Sequence, residues 1–290
     1  MTMPDLSPLY ELLARLLPFE CMRMRFMQQA LLGLVLLAPM AAAMGVQVVN
    51  FRMAFFADAI SHSAFTGVAL GLIFAVSPHW TMPAFGIVVG LAIMAAQRRS
   101  SLSSDTVIGV FFSAVVAFGL AVVSRDRNAA RDIQRFLYGD ILTISDGDIL
   151  GLIVLFATLM AFQAFSYNRM LYIGLNPVLA KAHRVRVAPY QYLYAGLLSL
   201  VVIFSVWAVG VLLVTAMMIV PAAAARNFAR SAGAMFWWAL WVSVTSAVAG
   251  LLISAQDWAQ TATGATIVLV AFGWFLVSTV AARLRGERYH

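Results

Sequence analysis

The sequence predicts an all-α, polytopic membrane protein with about nine transmembrane helices. Three observations carry that expectation. The 290 residues are 63% hydrophobic and only 11% charged, whereas a soluble domain is about 25% charged. Mean hydropathy is +0.91. The apolar runs are also too many and too evenly spread for a soluble domain with one anchor. Residues 1–25 carry charges on both sides of a proline and have no small-residue cleavage site before the first apolar run, so no signal peptide is expected.

Residues 5–17 read as a short amphipathic helix lying in the membrane interface. Leu6, Leu9, Leu13 and Leu16 share one face, while Asp5, Glu11 and Arg15 lie elsewhere. Spans of the roughly 20 residues needed to cross a bilayer are expected near 26–49, 57–77, 82–97, 106–124, 148–166, 191–208, 209–225, 234–254 and 263–282. The third is short. The run from Leu193 to Ala225 would be about 50 Å long as one helix, against a hydrocarbon core of about 30 Å. It is therefore divided near Trp207-Ala208-Val209-Gly210, where glycine permits a turn. The chain reads as a 1–25 amphipathic segment, a single membrane domain over 26–283 and a cytoplasmic tail at 284–290.

Orientation follows from the basic residues. With the N-terminus outside, 12 of the 19 face inward: Arg52, Arg98, Arg99, Arg169, Lys181, Arg184, Arg186, Arg226, Arg230, Arg283, Arg285 and Arg288. The outer segments hold Arg15, Arg23, Arg25, Arg125, Arg127, Arg131 and Arg135. The inward excess predicts N-out, C-in, although the arginines of 125–135 run against it. Residues 125–147 form the longest outer connection, with a short surface helix expected at 131–142. Residues 167–190 form the longest inner one, with a helix start at Asn176-Pro177. The net charge of +7 is scattered through short loops as topology signals are, so nucleic acid is not an expected partner. Cys21 is the only cysteine, which excludes an intrachain disulfide and a thiolate metal cluster.

The chemistry is concentrated in one apolar stretch, Phe55-Phe56-Ala57-Asp58-Ala59-Ile60-Ser61-His62-Ser63. Asp58 and His62 stand four residues apart and share a helix face. Ionisable side chains are costly in hydrocarbon and mark ion or proton pathways. A carboxylate and an imidazole together suit a divalent transition metal such as zinc or manganese, with iron a further candidate. Spacing alone leaves open a second reading, a buried pair that only holds helices together. Two ligands do not complete a zinc site, which generally takes four. The same pair from a second copy, water or backbone oxygens could fill the rest, and an incomplete site suits an ion in transit.

On the opposite side of the same helix, Gly67 and Gly71 permit close packing. His79, next to Trp80, reads as interfacial, His183 as solvated and His290 as terminal. There is no His-Glu-x-x-His, Gly-x-Ser-x-Gly or phosphate-binding loop. The chain therefore has no expected enzymatic activity of its own, and any ATP hydrolysis belongs to another subunit.

The stretch from Arg52-Met53-Ala54-Phe55-Phe56 through Asp58 and His62 to Gly67-Val68-Ala69-Leu70-Gly71 resembles the signature of permease subunits of zinc- and manganese-importing ABC transporters. Further matches follow in the family's order: Asp105-Thr106-Val107-Ile108-Gly109, Tyr138-Gly139-Asp140-Ile141-Leu142, Val209-Gly210-Val211-Leu212-Leu213-Val214-Thr215 and Pro221-Ala222-Ala223-Ala224-Ala225-Arg226. Together they cover about residues 26–283.

The resemblance implies a fold similar to that of cobalamin-type importers, in a bacterial cytoplasmic membrane. It also implies a homodimeric core, cytoplasmic ABC ATPase subunits and an extracytoplasmic metal-binding protein. Asp58 and His62 would lie at the outer gate, and 125–147 would line the outer vestibule. No tightly bound cofactor is implied; the transported metal is the substrate. Asn176, Pro177, Leu179, Ala180, Lys181, His183, Arg184 and Arg186 match the family's ATPase-coupling segment. The family usually has an acidic residue near Val178 and a glycine near Arg184; this chain replaces both, and the added positive charge suits an acidic groove on its ATPase. The rival readings are a proton- or ion-coupled secondary transporter, with Asp58 and His62 as a relay, and an intramembrane metalloenzyme, which lacks a third ligand and a general base.

Overall fold

The computed structural model describes Leu9 and residues 23–124 and 144–286. The helix expected at 5–17 (Leu9 apart), the surface helix at 131–142, the Tyr138–Leu142 motif and His290 lie outside the described residues. Every regular element described is helical. The long helices are α1 (Arg25–Asn50), α2 (Phe56–Ile73), α3 (Pro78–Arg99), α4 (Ser104–Val123) and α5 (Asp146–Leu175). After the short α6 (Pro177–Ala182) come α7 (Val187–Val209), α8 (Val211–Phe228), α9 (Ala232–Ser254) and α10 (Thr263–Leu284).

Eight of these are long and apolar enough to cross a membrane; the apolar part of α8, Leu213–Phe228, is shorter. It nonetheless runs the depth of the bundle beside α10. Leu213 packs at Gly264 near one end. At the other, the Asn227 amide donates to Ser278 at 3.0 Å and Thr279 at 3.2 Å. The break between α7 and α8 falls at Gly210, with φ 84° and ψ 164°, a conformation open in practice only to glycine. This is the division of the 193–225 run expected from length. α1 begins at one face, here the N-terminal face, and α10 ends at the opposite, C-terminal face. Among the described basic residues, Arg23 and Arg25 lie at the N-terminal face, and those from Arg52 to Arg285 belong to the C-terminal half of the bundle.

Two expectations need correction. The third span is not short: α3 has 22 residues, because Pro78 sits at its first turn, where a missing N–H costs nothing. The connection at 167–190 is not a long loop. α5 continues for 30 residues through Ser166, Tyr167, Asn168 and Arg169 and stops only at Asn176. Polar residues end a hydrophobic span but do not end a helix. The connection is therefore mostly α6 and its following turn.

The bundle is built around α1, whose segment Leu37–Val48 is buried throughout. Three neighbouring helices donate side-chain hydrogen bonds to its carbonyl oxygens. Ser243 of α9 donates to Ala38 at 2.8 Å, Gln163 of α5 to Ala43 at 3.1 Å and Tyr194 of α7 to Met44 at 3.0 Å. Such bonds fix helix rotation where apolar packing against lipid-like surroundings gives little preference. Small residues bring helices closer still. A Cβ on Gly67 would stand 2.7 Å from the Met82 Cα, and one on Gly250 2.5 Å from that of Ile267. Gly71 likewise abuts α3 through Thr81, so the glycine face of α2 is its packing face, as its spacing indicates.

Candidate functional site

The α1–α2 connection is a tight turn. Arg52 adopts φ 55°, the Arg52 N–H donates to the Val49 carbonyl at 3.2 Å and the Met53 N–H to that of Val48 at 3.0 Å. This paired arrangement ends α1 by satisfying its last carbonyls. The chain then enters α2 inside the bundle: Phe56 reaches Gly90, near the middle of α3. Asp58 therefore lies in the first turn of a helix that starts at depth. There the unpaired N–H groups and the helix dipole favour a negative charge.

Asp58 and His62 are both half-buried, on one side of α2, and they interact electrostatically. The His62 ring stands edge-on to Phe112, with centroids 5.0 Å apart, and 5.6 Å from Phe65. Phe112 marks the middle of α4, and Ile60, between the two ionisable residues, packs at Gly86 in the middle of α3. The pair thus stands near half-depth, inside the bundle rather than at its rim. Thr215, in the second turn of α8, lies beside the Asp58 carboxylate. Sequence reasoning did not single out Thr215; the signal was its place at the end of the Val209–Thr215 motif. Among the described residues no three His, Cys, Asp or Glu side chains come together. One chain therefore offers a carboxylate, an imidazole and a hydroxyl, a sparse hard-to-borderline donor set open on one side.

The other histidines are apart from this pair. His79 packs on Trp207, with ring centroids 4.0 Å apart, at the N-terminal face, and His183 lies 6.4 Å from the Tyr172 ring at the other.

The residues from Asn176 to Arg186 form one exposed unit on the C-terminal face. Asn176 caps α6, its Oδ1 accepting from the N–H groups of Val178 at 2.9 Å and Leu179 at 3.2 Å, and Pro177 occupies the first helical position. Ala180 is buried and pins the helix, while Leu179, Lys181, His183, Arg184 and Arg186 are exposed. Arg184 has φ 60°. Its N–H donates to the Lys181 carbonyl at 2.9 Å and that of Val185 to Ala180 at 3.0 Å. The turn is the glycine-type helix terminus, built here with an arginine at the left-handed position.

A bundle of helices this long and apolar is a polytopic membrane protein. The family model described as the ABC 3 transport family matches residues 23–282, and the chain belongs to that family. It is 32% identical over 253 residues to the high-affinity zinc uptake system membrane protein ZnuB of Haemophilus influenzae, covering 86% of this chain and 95% of the relative. It is 31% identical to the manganese import system permease protein ScaB of Streptococcus parasanguinis, covering 91% and 94%. Among solved structures, PsaBC from Streptococcus pneumoniae in complex with Fab superposes with a TM-score of 0.76 at 29% identity, over 94% of this chain and 95% of that one. The chain is a multi-pass protein of the bacterial cytoplasmic membrane.

Proposed function

We propose that this chain is the permease subunit of an ATP-driven importer that passes a divalent transition metal, zinc or manganese, into the cytoplasm. The observation that carries the reading is the Asp58–His62 pair, half-open at mid-depth on α2 in a member of the ABC 3 transport family. A relative named for zinc and others named for manganese support this substrate class.

The open side of the pair cannot face lipid, since an ionisable group in hydrocarbon must find water, a partner or the bundle interior. A second copy of the chain, packed so that two such faces meet, encloses the pathway and supplies a second Asp58 and His62. Thr215 orients the Asp58 carboxylate as an outer partner of the metal ligand. Two protein ligands per chain hold the ion long enough to select it and loosely enough to release it.

The C-terminal face then lies in the cytoplasm, where its basic residues belong. The 176–186 unit docks an ABC ATPase there, with exposed Leu179 as the apolar contact and Lys181, Arg184 and Arg186 as the charged one. α6 and the turn that enters α2 face each other across one cleft, lined by Pro177 and Lys181 on one side and Arg52 and Met53 on the other, so docking at α6 acts next to the helix that carries the pair. An extracytoplasmic metal-binding protein delivers the ion at the N-terminal face. The test is uptake of radioactive zinc and manganese into vesicles holding the chain with its ATPase and delivery protein. ATP-dependent accumulation of either metal supports the reading, and accumulation driven by a proton gradient without ATP contradicts it.

A further inference from the structure

The C-terminal face carries a second polar site, apart from the Asp58–His62 pair, to which the transport reading assigns no ligand. A cleft of about 450 Å³ lies between the α1–α2 turn, the end of α3, α6 and the start of α7. Arg52, Arg98 and Lys181 line it, with Asn50, Gln97 and Ser104, and no acidic residue is in the lining. Asp105, next to Ser104 in sequence, lies outside it. Arg52 is presented by the left-handed turn that ends α1. Arg98 is aimed by a hydrogen bond that it donates to the Gln191 side-chain Oε1 and by the Tyr192 ring, 5.7 Å away. The Gln97 amide nitrogen is buried and has no hydrogen-bond partner among the described residues.

Three cations brought together without a carboxylate repel one another, and a buried amide N–H₂ without an acceptor costs free energy. An anion with several acceptor oxygens resolves both, and phosphate is the group that arginine and lysine clusters recognise best. The cleft also has an apolar lip. Leu175 lines it and is 75% exposed, an unfavourable arrangement in water that an acyl chain would cover.

We propose that this cleft binds the phosphate of an anionic phospholipid of the inner leaflet. The phosphate sits among Arg52, Arg98 and Lys181, the Gln97 amide donates to it, and the lipid tails leave past Leu175. Basic pockets between spanning helices at the cytoplasmic face suit such headgroups. Soluble phosphate shares the oxygen chemistry but leaves the lip uncovered. The placement rests on the orientation proposed above. Because Lys181 belongs to α6 and Arg52 to the turn entering α2, the lipid ties the docking helix to the helix that carries Asp58 and His62.

The test is native mass spectrometry of the full-length chain in detergent, offered phosphatidylglycerol, phosphatidylcholine or inorganic phosphate. It needs no transport, so it can fail while the transport reading stands. The wild type should retain phosphatidylglycerol over phosphatidylcholine by about fivefold for each cation engaged. The R52Q/K181Q variant should lose that preference. R230Q/R283Q, which removes the same charge from the same face outside the cleft, should keep it. R98Q leaves both turns intact and gives the same reading should the double variant fail to assemble. An unchanged preference in R52Q/K181Q and R98Q, an equal loss in R230Q/R283Q, or displacement of the lipid by millimolar inorganic phosphate would each overturn the proposal.

Discussion

Gly45 of α1 and Met218 of α8 meet backbone to backbone: a Cβ on residue 45 overlaps the Met218 carbonyl group. Thr215 precedes Met218 by one helical turn, so the depth at which α8 seats on α1 sets how close Thr215 stands to Asp58. The glycine thus acts on the surroundings of the Asp58–His62 pair from another helix.

Gly45→Ala should push α8 off α1. Overpacking of this kind costs about 1–3 kcal/mol, and uptake should fall with it. Thermal unfolding of the purified chain should show a lower midpoint than wild type. A G45A protein with unchanged midpoint and uptake would refute the close contact.

Asp58→Ala and His62→Ala should each abolish metal uptake while leaving insertion and assembly intact, since each removes one of few ligands on an apolar route. Thr215→Val should keep the ligands and weaken metal affinity by about tenfold, the scale of losing an outer hydrogen bond to a ligand. Metal titration of the assembled complex separates the three. Normal uptake by a well-expressed D58A protein contradicts the pathway.

Arg184 holds a left-handed φ at an exposed helix terminus, a conformation that costs a side-chain-bearing residue about 1–2 kcal/mol. Arg184→Gly should therefore stabilise the turn, slowing hydrogen exchange of the Val185 amide by about fivefold or more. An unchanged exchange rate would mean that the arginine side chain offsets the strain through contacts of its own.

Arg184→Glu should act on coupling instead. The partner surface is expected to be acidic, so association should weaken with salt. The variant should lower stimulation of ATP hydrolysis by the metal-loaded delivery protein. Full stimulation in the R184E complex would remove Arg184 from the coupling surface.

If α8 crosses with the eight longer helices, the nine passes put residues 3 and 289 on opposite sides of the membrane. Cysteines placed at Met3 and Tyr289, in a background lacking Cys21, should give labelling from outside the cell at residue 3 only. Labelling of both sites or neither would require an even number of passes.

Much of the fold was legible in the sequence because its causes are local. Hydrophobic run length marks spans, and a 33-residue run is too long for one, which placed a break where Gly210 permits it. The Asn176-Pro177 pair marked a helix start because its side chain and fixed φ act within one turn. Gly67 and Gly71 marked a packing face by their spacing. The continuation of α5 to Leu175 was not legible, because hydropathy reports where a helix leaves the membrane and not where it ends.

For the site, the sequence by itself determined that one carboxylate and one imidazole share a face of a single apolar helix, since helical periodicity relates residues four apart. Only the tertiary structure decided that this helix starts at depth, that Phe112 walls the imidazole and that Thr215 lies beside Asp58. It alone gathered Arg52, Arg98 and Lys181 into one cleft. Those relationships join residues far apart in the chain. They are set by where small residues such as Gly45 let helices close, and by which carbonyl oxygens of α1 receive hydrogen bonds from its neighbours; no local pattern in the chain encodes that pairing.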